Sequence, residues 1–153
     1  MPGQQELLAA CLFYFEADGV TEKSIKEISG LGVENTPAQE VHGSTKGGKI
    51  WRQATPTVTK FTNITLKVIA TADVDLYQWY QKCNEDMGTP RQWNQNRKSA
   101  SVVAYNQQLT EVARWNIVNC YPVKYTGPTL TASSGDMATE TVELVHEGVK
   151  RVK

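Results

Sequence analysis

The side chains with nucleophilic or metal-binding chemistry are few and scattered: Cys11, Cys83, Cys120, His42 and His146. A cysteine nucleophile needs a setting that lowers its pKa, beside a base or a helix N-terminus. Cys83 falls instead on an apolar helical stripe, and Cys120 stands among aromatics at the end of a strand pattern. No cysteines share a C-x-x-C spacing, and their odd number suits reduced thiols that serve as small core residues in a reducing compartment. Neither histidine has a second ligand at metal-binding spacing. No serine occupies a G-x-S-x-G elbow. Asp73 and Asp75 form a D-x-D that can hold a cation, but helix capping explains the pair more simply. Thr45-Lys46-Gly47-Gly48-Lys49 lacks the G-x-x-x-x-G-K-[ST] pattern of a phosphate loop and reads as a flexible turn. Trp93 lies among Arg91, Arg97 and Lys98, a mixture that suits either single-stranded nucleic acid or a subunit-contact loop. These patterns favour a non-catalytic protein with no cofactor and no metal.

The elements that would position these residues are short. Leu7 to Phe15 is apolar, but no Lys or Arg precedes it and Glu16 and Asp18 follow. It reads as a buried first strand rather than a signal segment, and it is shorter than the ~20 residues a membrane-spanning helix needs. Ser24 to Ile28 is a second strand candidate, closed by Ser29-Gly30-Leu31-Gly32. Asn63 to Ala70 alternates cleanly, with Ile64, Leu66, Val68 and Ala70 on one face. Asp73 then caps a helix whose Leu76, Trp79 or Tyr80, and Cys83 share one side. Asn84 to Lys98 reads as a polar loop. Ser99 to Tyr105 and Glu111 to Tyr121 flank a five-residue connection and predict a hairpin. Pro122 restricts its site to a strand end or edge, and Tyr125 to Pro128 reads as a turn. Ala138 to His146 alternates again, and residues 149–153 form a basic tail. The 153 residues thus predict a single domain, mainly β, with two packed antiparallel sheets in a sandwich or small barrel and one short α-helix.

Charge is balanced overall and uneven locally. Sixteen basic and sixteen acidic residues give a formal net charge of zero, which does not signal wholesale binding to nucleic acid or anionic membrane. Residues 43–60 carry Lys46, Lys49, Arg52 and Lys60 without an acid and read as an extended loop or mobile hairpin. Asp136 to Glu147 carries Asp136, Glu140, Glu143 and Glu147 without a base. One basic and one acidic segment on a neutral chain can pair head to tail between copies, although such charges are also ordinary on a solvated surface.

Several segments together are more specific. Glu27 to Glu34 (EISGLGVE), Lys60 to Lys67 (KFTNITLK), Leu76 to Tyr80, Trp115 to Pro128 and Glu140 to Gly148 occur in this order. They resemble the tail-tube family of contractile phages, which also includes the inner tubes of contractile injection systems and type VI secretion. The resemblance covers most of the chain. It implies a ring-forming tail-tube fold that assembles into stacked hexameric rings inside a contractile sheath. The implied partners are further copies of itself, the sheath protein, baseplate or spike proteins, a tube cap, and a protein or DNA cargo in the lumen. Assembly in the bacterial cytoplasm and then residence in a tail or injection particle follow from the same resemblance. It also makes residues 43–60 the loop that reaches the adjacent ring. The expected stacking residues are Lys46, Lys49, Ile50, Trp51 and Arg52, facing Asp136, Glu140, Glu143 and Glu147 of a neighbour. The alternative is a monomeric β-sandwich ligand-binding module.

Overall fold

The computed structural model describes residues 7–20, 25–43, 47–84 and 91–153. Its elements, in chain order, are β1 (Phe13–Ala17), β2 (Ile25–Ser29), β3 (Val33–Asn35), β4 (Ala38–His42), β5 (Trp51–Thr55), β6 (Thr59–Phe61), β7 (Ile64–Ile69), α1 (Asp75–Asn84), β8 (Lys98–Tyr105), β9 (Glu111–Thr126), β10 (Thr139–Val145) and β11 (Gly148–Arg151). Two antiparallel sheets form the body. One runs β1-β8-β9-β11 and the other β9-β10-β7-β2, so the long strand β9 belongs to both.

Alternation writes the core. In β7, Ile64, Leu66 and Val68 are buried and Lys67 points out. They meet Val142 and Leu144 of β10 from the same sheet, and Phe15, Ala17, Ala100, Val102 and Ile117 from the opposite one. Each buried Val, Leu, Ile or Phe side chain among these stabilises the fold by roughly 1.5–3 kcal/mol. Helix α1 plugs the core with Leu76, Trp79 and Cys83, the stripe its spacing predicted. Asp73 caps it as expected: its Oδ1 accepts from the Asp75 N–H at 3.0 Å. At the far end, the Asn84 Nδ2 donates to Pro122 O at 2.6 Å and ties the helix to β9.

Strand β9 bends where it changes sheets. Asn119 has a φ of 49°, and the β8 register slips beside it, with Ala100 opposite Ile117 but Lys98 opposite Cys120. Asparagine tolerates this left-handed geometry better than most residues. Among the described residues, no strand pairs with the β8 side of β9 beyond Cys120. Pro122, which has no N–H to offer a ladder, occupies that locally open side, as its chemistry requires. The expected turn at Tyr125 to Pro128 is corrected, because β9 continues through Thr126, held by β10. The expected basic tail at 149–153 is also corrected, because Gly148–Arg151 is a strand laddered onto β9 with Arg151 opposite Trp115. Residues 125–126 and 148–151 are therefore sheet, in both cases because a neighbouring strand supplies hydrogen bonds that local propensity does not reveal.

The Asn106-to-Thr110 connection between β8 and β9 is the five-residue turn the sequence predicted, with Asn106 Oδ1 accepting from the N–H groups of Gln108 and Thr110. Candidate strand position Ser24 lies outside the described residues.

Candidate assembly interface

Between β2 and β7 the chain leaves the body as a two-stranded arm. Its base is β3 paired with β6, and its outer part is β4 paired with β5. Every residue of β4 and β5 is exposed, so both faces of the outer arm meet solvent in a single copy. Paired residues share a face. Val41–Arg52 and Gln39–Ala54 therefore lie on one side, and Ala38–Thr55, Glu40–Gln53 and His42–Trp51 on the other. On the second face the Lys49 ammonium sits 5.7 Å above the Trp51 ring, and His42 Nε2 lies 3.5 Å from Glu40. Ile50 and Trp51 are 63% and 57% exposed. Large apolar side chains held on a narrow ribbon beside cations match the anchor residues of protein contacts.

The arm is longer than the 43–60 segment that charge alone delimits, because its first strand is Ala38–His42. Charge missed β4, which carries Glu40. The usable signal was a bracket of prolines, Pro37 and Pro56, on either side of a run with strand-forming residues. Of the expected stacking residues, Lys49, Ile50, Trp51 and Arg52 lie together at the arm's outer end, and Lys46 lies outside the described residues.

The acidic segment is less available. The Arg97 guanidinium ion-pairs with Glu147, whose other oxygen accepts from Asn119 Nδ2 at 2.8 Å. Glu143 accepts from Asn63 Nδ2 at 2.8 Å. Burial, with the neighbouring Glu140 carboxylate, pushes the Tyr125 phenol up to about 12. Of the four acids, Asp136 stands on the exposed loop before β10, while the other three already serve contacts within their own chain.

The residues weighed for chemistry take structural places. Cys83 and Cys120 are buried in the core and Cys11 is exposed. Burial pushes the Cys83 thiol up to about 11 and the Cys120 thiol up to about 12, with the Lys98 charge opposing in both, so neither is poised as a thiolate. The His146 Nε2 bonds Thr62 O at 2.8 Å and its ring tilts against Phe61, tying the base of the arm to the β10–β11 junction. Trp93 packs on Tyr121 with Arg97 5.1 Å from its ring, which makes it part of the β9 surface. Among the described residues, no group of three His, Cys, Asp or Glu side chains is placed to hold a metal ion. Nor is any helix long and apolar enough to cross a membrane.

Residues 9–150 match the family of the T4-like virus tail tube protein gp19. The chain belongs to that family of tail tube proteins. Solved structures agree on the fold. A chain of the sheath/tube terminator of the extracellular contractile injection system PVC, in its extended state, superposes with a TM-score of 0.80 at 20% identity, covering 99% of this chain and all of that one. A chain of the PVC sheath-tube complex gives 0.73 at 20% identity, covering 95% of this chain and 90% of the other. Hcp1 from Flavobacterium johnsoniae gives 0.59 at 20% identity, covering 92% and 94%. No curated protein matches the chain by sequence comparison.

Proposed function

We propose that this tail tube protein builds the inner tube of a contractile, phage tail-like injection particle, as hexameric rings stacked inside a sheath. The reading makes it a structural subunit that delivers cargo mechanically and performs no catalysis. The match of residues 9–150 to a tail tube family carries it, and the body supplies what such a role needs. Among the described residues, β1 and β2 each pair with one strand only, and such sheet edges are templates for pairing with another copy. Sheath, tube-terminator, cap and baseplate partners fit the same reading, since the fold recurs in assemblies that contain them. Subunits would gather in the bacterial cytoplasm before joining the particle.

The arm is the part of this subunit that reaches the next ring. Its acceptor includes Asp136, on the exposed loop before β10, alongside the segment's Glu140, Glu143 and Glu147. Purified protein should form rings and tubes in negative stain, and a strictly monomeric mass at micromolar concentration would refute the reading. Reversing both Lys49→Glu and Arg52→Glu should leave rings intact while tube length collapses in electron micrographs. Tubes of parental length would remove the arm's cations from the contact.

A further inference from the structure

The arm's two ladders do not join. Asn35 of β3 pairs with Thr59 of β6, and the next ladder begins with Ala38 opposite Thr55. Between them, Thr36 and Pro37 face Pro56, Thr57 and Val58. Two residues against three cannot keep register, and neither proline can donate to a ladder. Left alone, this gap would be a free swivel between the base and the outer arm.

One side chain fills it. The Asn35 Nδ2 donates to Thr57 O at 2.9 Å, and the Thr57 N–H donates to Asn35 Oδ1 at 3.0 Å. This pair of bonds reproduces what a backbone residue opposite Thr57 would make. The same Nδ2 lies 3.3 Å from Thr59 Oγ1, and the Thr57 hydroxyl donates to Thr36 O across the gap. An amide side chain carries an N–H donor and a C=O acceptor on one planar group, as the peptide does. The structure assigns Asn35 as the pin that fixes the direction of the outer arm relative to the body, and with it the angle at which this subunit meets its neighbour. The second half of that statement rests on the arm being the stacking element.

The test measures direction and stacking separately. In a Cys11→Ser background, spin labels at Gln53→Cys on the arm and Lys124→Cys on the body report the arm–body distance distribution in unassembled protein. Asn35→Ala should at least double the width of that distribution, while amides of the β4–β5 ladder keep their exchange protection. Thr57→Val, which removes the hydroxyl bond but spares both backbone partners of Asn35, should stay close to the parental width. An unchanged width in Asn35→Ala overturns the proposal. So does loss of β4–β5 protection, which would make Asn35 a strand-holding residue instead of a pin. If the distribution broadens and tubes still grow normally, the pin stands and the stacking role of the arm falls. If it broadens and tubes shorten, both stand.

Discussion

At the scale of single residues, the thiols show how burial decides chemistry. Cys11 is exposed, whereas Cys83 and Cys120 lie in the core. Native protein should release one equivalent of thionitrobenzoate from Ellman's reagent quickly, and all three only after unfolding. Fast reaction of a second thiol would show that the core opens near α1. The raised thiols also make stability depend on alkali. An ordinary thiol ionises near 9.0, so between pH 9 and about 12 the unfolded chain loses protons that folded Cys120 keeps. Their contribution is full below pH 9 and falls as pH rises through that window, with Cys83 running out near 11. The urea midpoint should drop across this range, and Cys120→Ala should flatten the drop even though it lowers the starting stability. Equal slopes in parent and variant would remove Cys120 as a cause.

At the scale of elements, legibility tracked burial. Strand β7 and the stripe of α1 were plain in the sequence, because each buries one face and writes that face as a period in apolar residues. Arm strands β4 and β5 bury neither face, so no period marks them, and only prolines and a local excess of charge hinted at a projecting segment. Strand β11 was hidden for another reason: its Lys150 and Arg151 are exposed, and its order comes from β9, over thirty residues earlier in the chain. The candidate stacking residues were readable as a cationic run, but the commitments of Glu140, Glu143 and Glu147 were not, since their partners Tyr125, Asn63, Arg97 and Asn119 are brought in by folding. The turn before the arm was legible as Ser29-Gly30-Leu31-Gly32, and the structure shows why glycine is needed. Gly30 has a φ of 90°, and a Cβ there would sit 2.1 Å from the backbone oxygen of Asn63. Gly30→Ala should therefore cost about 2–4 kcal/mol in chemical denaturation, from backbone strain and forced separation of β7. A loss under 0.5 kcal/mol, the usual scale of surface changes, would mean the turn re-forms around the methyl group.

At the scale of the whole molecule, the two sheets depend on a strand they share. Without β9, the strands before it can make only isolated pairs, β1 with β8 and β2 with β7 in the body and β3 with β6 and β4 with β5 in the arm. Two-stranded pairs of this kind are marginal in water. Pulse-labelled hydrogen exchange during refolding should therefore show amides of β1 and β2 gaining protection together with those of β9. Early protection of β2 and β7 alone would contradict this. Consider the same chain leaving a ribosome. Residues up to Tyr105 emerge with both sheets still lacking their common member, and β10 and β11 must follow before the second side of β9 is covered. Most of its contacts span long stretches of sequence, the kind of topology that folds slowly. Strands β1 and β2, whose edges suit polymerisation, thus leave the ribosome first and wait longest for their sheets, an interval in which unpaired strands are exposed to association with other chains.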